Sequence, residues 1–390
     1  MTVSEPSEIK TLDAEKLDKN ISETALKDIS AGKIPGCSVI VYQKGKKLFE
    51  DSYGYTNIYT KKPIEKNTLF RLASMTKPVT AVAVLLQLQK NKLSLEDKIS
   101  KYFPGFHKMK IDIKSADGTH RLVTPSREVT LLDLLTHTGG FGSDETGIKI
   151  TDEMPTESRT DLLTAVKYYE KEMMLSFDPG TMRSYSPVAA FDVLAAIVSM
   201  TSDREIGEFM QENIFSPLGM TDTGFDLNED QHKRLTDMFS LCSNKPHSEE
   251  MNEIFSGFPT TYHAGGAGLA STADDYAAFA EMLCDSVTGR RTAILKKESA
   301  DLMRAAKMVP NDIHESPSEV FGLGVRITLC EKTLPEGIFG WSGAYGTHFW
   351  VDPVNEIIAV YMKNSFYDGG AGCMTAIQFE KDVMNSLKHK

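Results

Sequence analysis

The stretch RLASMTKPVTAVAVLLQLQK, residues 71–90, sets a serine and a lysine three positions apart where a long apolar run begins. Two readings compete. Either Ser74 and Lys77 are a nucleophile with its own base, or they are the solvated first turn of a core helix with Ser74 as its cap. The tetrad alone does not decide, because Ser-x-x-Lys also occurs at Ser7–Lys10 and Ser30–Lys33. Pro78 fits the first helical turn, where its missing N–H costs little. Lys77 then shares a helical face with Ser74 and reaches its hydroxyl. A serine hydroxyl is a weak nucleophile until a base takes its proton. An ordinary lysine, with a pKa near ~10.4, is already protonated at pH 7. Desolvation lowers that value, and the neighbouring Leu69, Phe70, Leu72, Val79 and Val82 predict partial burial of Lys77.

Two further segments carry chemistry. FDPGTMRSYSPVAAFDVLAAI (177–197) passes from a Pro-Gly turn into a strong apolar helix, with Tyr185 at the junction. A phenol there can share a proton with the lysine; the plainer reading is an amphipathic aromatic packed in place. GWSGAYGTHFWVDP (340–353) puts Trp341, Ser342, Gly343 and Ala344 just ahead of a strand. Gly343 permits close backbone approach to a ligand, and the Ala344 N–H can join that of Ser74 around a developing oxyanion. The alternative is a glycine-rich edge strand with Trp341 in the core.

Composition narrows the classes. With 41% hydrophobic and 25% charged residues, the 390-residue chain is globular rather than disordered. A formal net charge of −11 argues against a nucleic-acid surface. No run approaches the ~18 apolar residues of a membrane span. The acidic, polar start, MTVSEPSEIKTLDAEK, lacks the pattern of a signal peptide. Five widely spaced cysteines (37, 242, 284, 330, 373) read as free thiols. The expected location is therefore the cytoplasm. Nine scattered histidines show no HExxH spacing, so neither a catalytic metal nor a cofactor is expected.

Strand signals sit near both ends. CSVIVYQ and KLFEDSYG flank Lys44-Gly45-Lys46, and GTHFWV and EIIAVYMKN flank Asp352-Pro353-Val354-Asn355. An opening helix to about residue 30 shows apolar positions at Leu12, Leu17, Ile21 and Leu26, and AIQFEKDVMNSLKHK closes the chain as an amphipathic helix. Between them the text is mostly helical. The expected fold is α/β plus all-α: one antiparallel sheet built from both chain ends and flanked by helices, with an inserted, mostly helical domain. The boundaries fall near 95 and 260, giving an α/β domain of 1–95 and 260–390, a helical domain of 96–259, and an active site at the seam. The segments Gly105–Arg127 and Asp226–Tyr262 are expected to shape the cleft mouth.

The three chemical segments, in this order, resemble the serine hydrolases of the β-lactamase/transpeptidase fold: penicillin-binding proteins, class C β-lactamases and family VIII carboxylesterases, the last being the nearest. Supporting text includes IPGCSVIVYQKGK, LLDLLTHTGGF, PLGMTDTGF and AGGAGLASTADDYAAFAEML. The resemblance implies an acyl-enzyme on Ser74, proton handling by Lys77 and Tyr185, and an oxyanion hole from the Ser74 and Ala344 amides. The third motif falls on Trp341-Ser342-Gly343. Two departures bear on substrate. Pro187 stands where the lactamase pattern has asparagine, and Trp341 replaces the lysine that helps bind a substrate carboxylate. The expected partner is thus a small, uncharged, partly apolar ester, with no nucleic acid or membrane partner; the oligomeric state stays open. Alternatives on the same fold are acyl transfer to an alcohol, a β-lactamase, a D-amino-acid peptidase or amidase, and a non-catalytic peptidoglycan-binding homologue. GWSGA also resembles an α/β-hydrolase nucleophile elbow on Ser342, but that motif needs a helix after the serine, and here strands follow. His137 is read as holding a turn. Gly265–Gly268 is read as a tight turn before a helix over Thr272–Leu283, with Asp274 and Asp275 as first-turn charges.

Overall fold

The computed structural model describes residues 9–115, 117–142, 150, 153–239, 262–291, 293–305, 319–330, 333–365 and 373–388. Lys44 and Gly45 both adopt positive φ, 53° and 71°, a two-residue turn whose twist suits a hairpin. On either side, β1 (Gly36–Gln43) and β2 (Lys46–Gly54) pair antiparallel. Two short pairings follow. β3 (Phe70–Arg71) will meet β6 (Ala270–Ser271) far along the chain, while β4 (Ile111–Lys114) and β5 (His120–Val123) form a local hairpin. The C-terminal part supplies β7 (Glu319–Phe321), β8 (Arg326–Thr328), β9 (Phe339–Ser342), β10 (His348–Asp352) and β11 (Ile357–Met362). The main sheet runs β2-β1-β11-β10-β9-β8-β7, every pair antiparallel. One sheet is therefore made from both chain ends, as the hairpin signals predict.

Helices cover both faces, which is why β10 and β11 are buried along their whole length. The helix Ala14–Ser30 packs with the helix Met374–Met384 on one face. The first of these buries Leu17, Ile21, Ala25 and Asp28 at helical spacing. Leu26, expected on that face, is 57% exposed, because the i, i+4 stripe from Ile21 passes through Ala25. On the other face the helix Ala273–Thr288 packs against β1, β10 and β11. Its N-cap, Thr272, accepts from the Asp275 amide. Asp275 is not merely a first-turn charge: it also accepts from the Asp222 amide and the Thr223 hydroxyl.

Next to the sheet, the helix Thr76–Gln89 is buried from Thr76 to Gln87 and packs against the helix Ala189–Ser202. A helix apolar nearly all round has nowhere to go but the interior. No helix among the described residues is long and apolar enough to cross a membrane. Cys37, Cys284, Cys330 and Cys373 are free thiols, and Cys242 lies outside the described residues.

Candidate active site

Ser74 sits in a short 3-10 turn, Ala73–Met75, that leads straight into the Thr76–Gln89 helix. Ala73 takes φ 45°, a left-handed conformation that a residue with a Cβ adopts only when its surroundings impose it. Three contacts do so. Leu72 N donates to Leu269 O at 2.9 Å, Tyr276 donates to Met75 O at 2.8 Å, and Thr347 donates to Leu72 O at 3.1 Å. The cap reading fails here: the helix N-cap is Met75, without a side-chain hydrogen bond. Instead the Tyr185 hydroxyl donates to Ser74 Oγ at 2.6 Å, and Lys77 Nζ lies 3.2 Å from the same oxygen.

Lys77 is fully buried. The agents of that burial are distant in sequence rather than the flanking apolar residues alone. Nζ donates to Gly266 O at 2.8 Å and to Pro187 O, and the Tyr185 and Phe191 rings stand 5.0 and 5.6 Å away. Burial pushes the amine down to about 7, against the opposing pull of Asp192. The two carbonyls accept only, so two of the nitrogen's substituent directions are committed to N–H donation. The third faces Ser74. In the neutral amine that direction holds the lone pair, which can accept the serine proton. The other Ser-x-x-Lys sites differ. Ser30 donates to Lys27 O and Lys33 pairs with the buried Asp28 rather than with Ser30, while Ser7 lies outside the described residues.

The sequence did not reveal Asp192, and the turn it does reveal at Gly265–Gly268 has a second role. Asp192 is fully buried under the lysine and accepts from Tyr262 at 2.8 Å, Gly266 N at 3.1 Å and Tyr169 at 3.3 Å. Burial pushes its carboxyl up to about 7. A single peptide segment thus joins the two groups: Gly266 O holds Lys77 and Gly266 N holds Asp192. A Cβ on Gly265 would fall 2.4 Å from the Ala195 side chain, and one on Gly266 2.8 Å from Val188 O. Gly265 and Gly266 are a wall of the site and not only a turn.

Tyr185 is set by His137, whose role exceeds holding a turn. His137 O accepts from Ser184 N, and its Nδ1 accepts from Ser186 N, each at 3.1 Å. The ring lies 4.7 Å from that of Tyr185. Both amides flanking the tyrosine are therefore fixed by one residue, itself held at φ 57°. Burial keeps the imidazole well below its ordinary value, hence neutral. Replacing it with phenylalanine retains the ring but strands the Ser186 amide. We expect kcat to fall about 10- to 100-fold with KM little changed. Asparagine, which tolerates positive φ and supplies an acceptor, restores most of the loss; steady-state kinetics of both variants check this.

The third segment divides between two faces of the sheet. Trp341 packs 5.5 Å from Tyr185 and 4.9 Å from Phe321, on the site's side. Ser342, one residue on, points the other way. Its Oγ is 2.7 Å from His348 Nδ1, and His348 Nε2 is 3.1 Å from Glu380 Oε1. This serine–histidine–glutamate chain has the connectivity of a catalytic triad, yet its members are 2%, 1% and 4% exposed, and the serine ends β9 rather than sitting in a strand–helix elbow. It anchors β9 to the helix Met374–Met384. The Ser342 side chain is thus turned away from Ser74, contrary to the expectation that it lines the binding site. Gly343 has no room for a side chain, since a Cβ would meet Leu72 O at 2.1 Å. That close approach lays the turn after β9 against the Ser74 turn, with Ala344 exposed beside it. Among the described residues, no group of three or more His, Cys, Asp or Glu is placed to hold a metal ion. Of the expected mouth segments, Gly105–Arg127 carries the β4–β5 hairpin, and 240–261 lies outside the described residues.

These features agree with comparisons to known proteins. A family model described as Beta-lactamase matches residues 17–378. Protein Rv1367c of Mycobacterium tuberculosis (strain H37Rv) is 32% identical over 350 residues, spanning 85% of this chain and 86% of its own. Esterase EstB of Burkholderia gladioli is 26% identical over 401 residues, spanning 94% and 95%. Among solved structures, EstCE1, a hydrolase with promiscuous acyltransferase activity, shares the fold at TM-score 0.78 and 24% identity, over 95% of this chain and 99% of its own. A family VIII carboxylesterase does so at 0.77 and 17%, over 97% and 100%. Fold, motif order and family match converge: the chain belongs to the beta-lactamase family, with esterase EstB as a homologue and a family VIII carboxylesterase among its structural neighbours.

Proposed function

We propose that this protein is a serine hydrolase that cleaves carboxylic esters through an acyl-enzyme on Ser74. The observation that carries the reading is the fully buried Lys77 amine, with two carbonyls taking its hydrogens and its third direction facing Ser74 Oγ. Neutral Lys77 accepts the serine proton as Oγ attacks the ester carbonyl. Burial holds the Tyr185 phenol above its ordinary value and so protonated, and that proton goes to the departing alkoxide. The Ser74 and Ala344 amides hold the oxyanion. Water then releases the acid by the reverse proton path.

Esters are favoured over lactams and peptides because Pro187 offers no side-chain amide for an acylamino group, and its carbonyl is occupied by Lys77. Trp341 supplies an apolar wall where a lysine ammonium would stand. The acyltransferase activity in the description of EstCE1 supports a second reading, in which an added alcohol replaces water. The free thiols of the four described cysteines support a reducing compartment, the cytoplasm.

A chromogenic short-chain ester tests the reading directly. We expect a burst of chromophore followed by steady turnover, and a mass increase of one adduct after a serine-directed phosphonate. A binding protein gives neither. Nitrocefin should be turned over far more slowly than the ester.

A further inference from the structure

Beside the Ser74 turn lies a cavity of about 240 Å³, lined by Arg71, Tyr345, Phe225, Leu227, Leu235 and the chain from Ala267 to Ala270. Its size is below the roughly 300–1,000 Å³ of sites for drug-sized ligands, so it suits a chain of a few carbons. Each wall continues an element of the candidate site. Arg71 is three residues before Ser74, hence within about 11 Å of it along the backbone. Tyr345 follows Ala344. Gly268 stands two residues after Gly266, whose carbonyl holds Lys77.

Arg71 is the unusual member. Its Nη1 donates to Thr236 O at 2.8 Å, which fixes the guanidinium. No carboxylate among the described residues pairs with it. Tyr345 and Asp237 both act on it electrostatically, and the Asp237 carboxylate accepts from Asn57. Asp226 on the cavity rim lies 2.8 Å from His263 Nε2 and is 87% exposed. A guanidinium is always charged and presents five donors in a planar fork. Among the described residues one of these donors is used, and the rest of the lining is mixed, with Phe225, Leu227 and Leu235 apolar and Asp226 and His232 polar.

Resting on the reading of Ser74 as the acylated residue, we propose that this cavity is a carboxylate-binding subsite and that the preferred substrates are short esters carrying a free carboxylate a few carbons from the ester bond. Arg71 holds the carboxylate, and Phe225, Leu227 and Leu235 hold the chain. The loss of a cationic residue at Trp341 is then a relocation of anion recognition rather than its disappearance, and the substrate is not uncharged.

The test compares p-nitrophenyl hemiadipate with p-nitrophenyl hexanoate, equal in chain length, in the wild type, Arg71→Gln and Arg71→Lys. The ratio of kcat/KM between the two esters should fall about tenfold or more in Arg71→Gln, through KM, with Arg71→Lys between. Leu227→Glu, which places a competing carboxylate in the cavity without touching the Thr236 contact, should lower the ratio as well. In the wild type, free adipate should inhibit competitively and more strongly than hexanoate or inorganic phosphate. Equal ratios in all four proteins, or inhibition by adipate no stronger than by hexanoate, overturns the subsite. If neither ester is turned over and the phosphonate adds no mass, the hydrolase reading has failed. Calorimetric titration with adipate then still decides the subsite: binding lost in Arg71→Gln upholds it, and no binding to the wild type overturns it.

Discussion

Ser74→Ala is expected to lower ester turnover by about 10⁴-fold or more and to abolish both the burst and the phosphonate adduct. The variant should fold normally. Ser74 caps nothing, so the ~1 kcal/mol lost with a helix cap does not apply, and the turn keeps its ties through Leu72 and Met75. A serine that merely began a helix would behave in the opposite way, with lost stability and unchanged chemistry. Thermal unfolding beside burst kinetics separates the two outcomes.

Lys77→Met should cost about 10²–10⁴-fold in acylation. Combined with Ser74→Ala it should cost nothing further, because residues acting as one unit are not additive. The pH dependence sharpens this. Burial brings Lys77 down to about 7, so below that pH the amine is an ammonium without a lone pair. The wild-type kcat/KM should therefore rise with pH through the neutral range and level off above it, and Lys77→Met should lose this limb. Asp192 favours the ammonium, so Asp192→Asn should move the limb to lower pH. Lys77 and Asp192 are close enough to titrate as a pair, and the observed limb belongs to both. A limb unmoved in Asp192→Asn would sever the aspartate from the mechanism.

Much of this was legible in the sequence. The two hairpins announced a sheet drawn from both chain ends, because turn chemistry and alternation are local properties. Ser74, Lys77 and Tyr185 were legible because motif spacing at helix starts brings such groups to one place. Asp192 was not. It lies in the apolar text FDVLAAI, and its importance arises only when Gly266 and Lys77 arrive from elsewhere in the chain. His137 was visible as a residue, but its grip on both neighbours of Tyr185 depends on tertiary contact. Ser342 was a different kind of miss. Once β9 is recognised as a strand, its two-residue period already puts Trp341 and Ser342 on opposite faces.

The central claim is that a neutral amine at position 77 faces the hydroxyl of Ser74 at working pH. The most direct measurement is the pH titration of the Lys77 side chain by NMR, with ¹³Cε-labelled lysine and Lys77→Met to assign the resonance. The expected midpoint is near neutrality. A midpoint near the ordinary ~10.4 would contradict it.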